Sequence, residues 1–126
     1  MKRYIHESNE LVEILGMANI VPKRSGLSVD IWSDHSGGKR KVSHSSRPRA
    51  KISYQGEEIA ISIEENPVIL APKNASIPKG LMKKFQEGID YVGRNCDIFL
   101  KHYLDENDEF DDEDLFNALR ERGEYK

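Results

Sequence analysis

The sequence predicts an α+β fold: a small antiparallel sheet packed on one long helix, with short helices near the N- and C-terminal ends. Three observations lead there. Apolar and polar residues alternate over 27–32 and 50–54, and Ile59, Ala60, Ile61 and Ile63 supply a partner strand. The connections between these runs are too short for crossover helices, so neighbouring strands are expected to be antiparallel. Met82, Phe85, Ile89, Val92, Cys96, Phe99 and Tyr103 then step by three and four, which draws one apolar stripe along a helix over 78–104.

The elements follow in order. Ser8 can cap a short helix through about Asn19, with Leu11, Ile14, Leu15 and Ala18 on one face. Residues 22–26 (PKRSG) read as a loop. Leu27, Val29 and Ile31 alternate with Ser28, Asp30 and Trp32 as the first strand. The polar, Gly-rich residues 34–41 form a turn or exposed loop, and residues 41–45 are expected to begin a second strand that Pro48 confines to an edge or a bulge. Gln55 and Gly56 make a tight turn into the next strand, and Val68, Ile69 and Leu70 form a last short strand between Pro67 and Pro72. Pro78 suits the first turn of the long helix. Gly80, Gly88 and Gly93 each weaken that helix by about 1 kcal/mol relative to Ala, so close approach of another element is their expected use. Residues 105–114 hold eight acids in ten positions. Asp111–Asp114 place negative charge where a final short helix begins, Arg120 and Arg122 place positive charge where it ends, and Gly123 stops it.

The 126 residues suit a single domain with its core over 26–104. Net charge is −3, split unevenly: residues 1–63 carry ten Lys/Arg against seven Asp/Glu (+3), and residues 64–126 carry nine against fifteen (−6). One cysteine cannot form an internal disulfide, the first fifteen residues lack the apolar run of a secretory leader, and no stretch reaches the ~20 apolar residues of a bilayer span. A cytoplasmic protein without a membrane partner is expected. Cys96 lies on the apolar stripe and reads as a buried, inert thiol.

The chemistry-bearing residues concentrate on the first loop of the sheet. Asp34 and His35 precede Gly37-Gly38, and His44 follows. Two imidazoles and a carboxylate can serve acid–base catalysis, and His35 and His44 are weak candidates for metal ligation. Three ligands on a polar loop with no tight metal spacing leave no metal or cofactor as the expectation. Lys39, Arg40, Lys41, Arg47, Arg49 and Lys51, interleaved with serines, are candidates for nucleic-acid or phosphate contact. Leu115, Phe116 and Leu119 give the last helix an apolar edge, a candidate partner-binding surface. His102, near the end of the long helix, receives no role.

The run GLSVDIWSDHSGG, then His44, then PRAKISYQGEEIAISI and a long helix resembles a small prokaryotic domain-of-unknown-function family, over about residues 26–104. That family has a strand ending in Asp-His, a His-x-His element, paired strands and one long helix, and its genes are found near toxin–antitoxin-like or mobile-element genes. Asp34 and His35 match the Asp-His pair and His44 the last histidine of the element, while Val42 replaces its first histidine. The resemblance implies no established activity.

Taken together, the sequence is read as a non-enzymatic module that binds a macromolecule, protein or nucleic acid. The toxin–antitoxin, defence or anti-defence context comes from the resemblance alone. Two alternatives stand beside it: a small nuclease or hydrolase using His35, His44 and Asp34, and a structural or homodimeric domain without activity of its own.

Overall fold

A computed structural model describes residues 17–35, 47–72 and 77–126. In it, β1 (Met17–Ile20), β2 (Asp30–Asp34), β3 (Arg49–Tyr54), β4 (Glu57–Ser62) and β5 (Ile69–Ala71) form a five-stranded sheet in chain order. Every neighbouring pair is antiparallel. The expected α+β fold with an antiparallel sheet is therefore what the chain adopts.

Period two explains the register. Ile20 stands opposite Ile31, Ile31 opposite Ile52, and Ile52 opposite Ile59, so one row of isoleucines crosses four strands. All four are buried. β-branched side chains suit a pleated surface, and a one-residue slip would turn the whole row to the other face. The next row on the same face runs Ala18, Ser33, Ala50 and Ile61. It contains one polar member, Ser33, which is fully buried. Between β3 and β4 the chain reverses at Gln55 (φ 50°) and Gly56 (φ 84°); two successive positive φ values match the right-handed twist of the hairpin.

The longer helices cover the isoleucine face. α1 (Pro22–Ser25) is a single turn with Pro at its start and Gly26 at φ 83° closing it, where the loop was expected. α2 (Lys79–Arg94) packs on β3, α3 (Cys96–Tyr103) on β2, and α4 (Asp112–Glu121) on α3. Gly88 and Gly93 admit the close approaches expected of them. A Cβ at Gly88 would stand 2.8 Å from Ile52 Cδ1, and one at Gly93 would stand 2.7 Å from the Glu65 carbonyl oxygen. Gly80 faces open space.

Three expectations are corrected. Residues 17–20 are strand, not the end of an N-terminal helix; the rest of that expected helix, and the strand expected over 41–45, lie outside the described residues. Ala18 and Ile20 alternate inward there, so pairing with β2 outweighs the short helical pattern. The first predicted strand is displaced, running over Asp30–Asp34 rather than 27–32. The edge or bulge position expected for the strand over 41–45 lies outside the described residues with it; Pro48 precedes β3, and its carbonyl accepts the Ile63 N–H.

The third correction concerns the long helix, which breaks at Asn95 (φ −117°, ψ 23°). The buried Asn95 side chain donates to the Tyr91 carbonyl at 2.9 Å, an asparagine competing with the backbone ladder. Past the break the buried face rotates. Ile98, Phe99 and His102 point inward, while Cys96, expected to be buried, is only half-buried.

The C-terminus is tied down. Lys126 N–H donates to the Arg24 carbonyl and Arg24 to the Lys126 carbonyl, both at 2.9 Å. Tyr91 Oη donates to the Glu124 carbonyl at 2.8 Å, and Arg94 grips the Glu124 carboxylate with two bonds of 2.7 and 3.1 Å. No helix among the described residues is long and apolar enough to cross a membrane.

Gly93→Ala tests the close approach of α2. Alanine gains about 1 kcal/mol of helix propensity. The obstructing atom is backbone, which cannot rotate away, and overpacking costs about 1–3 kcal/mol. Urea denaturation is expected to show a net loss of stability; a midpoint at or above that of the native chain would mean the approach is looser than described.

Candidate functional site

The polar Ser33 in an apolar row requires a partner, and α3 supplies it. His102 Nδ1 lies 2.7 Å from Ser33 Oγ, and both side chains are fully buried. On the other side of the ring, Nε2 lies 2.8 Å from Asp112 Oδ1 in the first turn of α4. A carboxylate only accepts, so Nε2 carries the hydrogen and Nδ1 accepts from the serine hydroxyl. The imidazole is satisfied on both sides in its neutral form. Burial pushes its pKa down; the Asp112 bond pulls the other way, and burial prevails.

Ser, His and Asp are also the residue types of a hydrolytic triad. Here the serine and imidazole are sealed from solvent, so no substrate reaches the hydroxyl. The arrangement ties β2, α3 and α4 together.

His35, in the turn after β2, stacks outside His102 with ring centroids 5.0 Å apart and a 31° tilt. Its Nε2 lies 2.8 Å from Asp105 Oδ2 and 3.7 Å from Asp108 Oδ1. Both carboxylates belong to the turn between α3 and α4, in which Asp105 Oδ1 also accepts the Glu109 N–H at 2.9 Å and Asp108 takes φ 59°. Burial would raise the Asp105 carboxyl. The His35 bond and the backbone N–H groups of Glu109 and Phe110 outweigh it and hold that pKa at about 2. The His35 side chain remains 20% exposed. It opens onto a cleft of about 510 Å³ lined also by Asp111, Asp112, Glu113, Phe116 and Arg120. Three acids against one arginine make this cleft electronegative.

α4 itself begins with a reciprocal cap: Asp111 accepts from the Asp114 N–H at 3.0 Å, and Asp114 accepts from the Asp111 N–H at 3.1 Å. This agrees with the expected helix start, and Gly123 at φ 77° stands just past its end.

The sequence-derived candidates are placed as follows. Asp34 is 7% exposed at the end of β2, on the sheet face opposite Ser33. His44, Lys39, Arg40 and Lys41 lie outside the described residues. Arg47 bonds Glu64 at 2.5 Å, and Lys51 stands 3.6 Å from Glu58. Arg49 is half-buried at the start of β3, opposite Ser62. The apolar edge of α4 is corrected as a partner surface, since Leu115 and Leu119 are fully buried in the core. Phe116 stacks on Tyr125 at 4.9 Å and contributes to the cleft.

Sequence reading missed Ser33, His102, Asp105, Asp108 and Asp112. The available signal was a histidine on a core-facing helix just before an acidic run, but which acid meets which histidine depends on where the sheet and helices cross. Comparison of the chain with protein-family models, curated proteins and solved structures finds no match.

Two outcomes are expected. Because the folded His102 pKa lies below its unfolded value, the unfolded chain takes up the proton first. Its contribution is complete above the ordinary histidine pKa of about 6.5 and is lost as pH falls through and below it. Urea midpoints measured one unit above and one unit below that value should drop for the native chain and drop less for His102→Gln. Separately, Ser33→Ala leaves His102 Nδ1 buried without its donor and should cost about 1–3 kcal/mol in the same assay.

Proposed function

We propose that the chain is a non-enzymatic binding module whose electronegative cleft takes a Lys- or Arg-bearing segment of a protein partner. The observation that carries this reading is the lining of the cleft: the carboxylates Asp111, Asp112 and Glu113 beside Phe116 and His35, against a single cation, Arg120. A cationic side chain reaching over an aromatic face between carboxylates finds both charge complementarity and apolar contact. A protein partner is favoured over nucleic acid because Arg47 and Lys51 already face Glu64 and Glu58, which reduces their attraction for phosphate. The sealed hydroxyl of Ser33 favours binding over hydrolysis. A toxin–antitoxin, defence or anti-defence setting is retained from the resemblance as part of the proposal.

Glu113 is the residue to change, because Asp111 caps α4 and Asp112 holds His102. Fluorescence anisotropy with a labelled oligo-arginine peptide should show Glu113→Lys binding roughly tenfold more weakly, in line with loss of a close charge pair. Joint reversal of Arg47 and Arg49 to Glu should leave that affinity within about twofold, as befits charges outside the cleft. Equal affinity of Glu113→Lys and the native chain rejects the cleft. Tight binding of a labelled oligonucleotide that disappears when Arg47 and Arg49 are reversed would replace the protein partner with nucleic acid.

A further inference from the structure

The structure assigns a divalent transition-metal site to His35, Asp105 and Asp108. The three side chains each offer a donor atom, and these atoms lie within 4.8 Å of one another. They converge from two separate parts of the chain, the end of β2 and the turn that follows α3. The cluster is therefore not a run of neighbouring acids on one loop, because its nitrogen donor comes from the turn just past β2.

The spacing suits an ion. Ligands held at about 2.1 Å around a tetrahedral ion stand roughly 3.4 Å from each other, and around an octahedral ion roughly 3.0 Å. From His35 Nε2, the two carboxylate oxygens stand at 2.8 and 3.7 Å, on either side of those values. The remaining pair, the two carboxylate oxygens, lies within 4.8 Å.

The donors are also oriented in advance. Asp105 uses Oδ1 to accept the Glu109 N–H, which turns Oδ2 toward the imidazole. Such outer bonds fix a ligand carboxylate before the ion arrives. The Asp105 side chain is only 6% exposed, whereas that of Asp108 is 65% exposed. An ion would therefore enter from the Asp108 side and rest against a buried ligand.

One imidazole with two carboxylates selects the class of metal. Magnesium and calcium prefer oxygen alone, while zinc, manganese and cobalt accept the mixed set. Three protein ligands leave at least one coordination position open, as in sites that bind or activate a further ligand rather than purely structural ones.

The experiment uses the full chain, dialysed against EDTA and then into metal-free buffer. Zinc chloride, manganese chloride and magnesium chloride are titrated separately by isothermal calorimetry, with thermal unfolding followed in parallel. Expected are one zinc ion per chain, a raised unfolding temperature on zinc addition, and weaker binding of magnesium. His35→Gln and Asp108→Asn should each weaken zinc binding by at least about tenfold. Asparagine tolerates the positive φ at position 108 and that side chain is largely exposed, so the second variant should stay folded. Glu57→Gln, at the β3–β4 turn and outside the lining of the cleft, should keep its zinc affinity to within about threefold, which shows that the loss reports this site rather than overall charge. Absence of zinc and manganese binding by the native chain overturns the assignment, and so does zinc binding that both variants leave unchanged.

Discussion

One buried imidazole holds the described fold together. His102 accepts from Ser33 in the sheet and donates to Asp112 at the start of α4, so three elements meet at a single ring. An unsatisfied hydroxyl in the core row of β2 would cost about 1–3 kcal/mol, and the ring removes that penalty while keeping its own two nitrogens paired. Because the ring is sealed, these bonds act in a low dielectric, where a satisfied network is strong and a broken one is costly. The neutral state of His102 is thus a requirement of the architecture.

The rest of the geometry follows from placing that ring. An unbroken helix over 78–104 would have continued the stripe through Cys96. The break at Asn95 rotates the last two turns so that Ile98, Phe99 and His102 face the core. Asn95 serves the break twice, since Nδ2 donates to Tyr91 while Oδ1 accepts from Arg122 at 3.3 Å. Arg122 also pairs with Asp97, and Arg94 with Glu124, so the C-terminal segment is clamped beside the break from two sides. With α4 held there, its acidic first turn lies next to His35, and the cleft forms between them.

The charge asymmetry of the sequence takes a particular form in space. On the sheet, described basic residues lie beside carboxylates of β4 and the loop after it: Lys51 beside Glu58 and Arg47 beside Glu64. Beside α4, acids outnumber bases, and His35 is drawn into their company. Among the described residues, carboxylates therefore outnumber cations at the cleft, while Lys51 and Arg47 on the sheet each stand beside a carboxylate.

Local chemistry by itself determined several parts of this protein. Alternation set the inward face of β3 and β4, Gln55-Gly56 set their turn, and the acids at 111–114 set the start of α4 with its cap. In each case the deciding contacts span only a few residues, so propensity and pattern suffice. Tertiary structure decided the remainder. Residues 17–20 became strand because β2 offered a partner edge, and Asn95 broke a continuous stripe because its side chain had a buried site to fill. His35 found Asp105 and Asp108 because the crossing of sheet and helix brings together groups about seventy positions apart, a separation at which neither periodicity nor local propensity carries information.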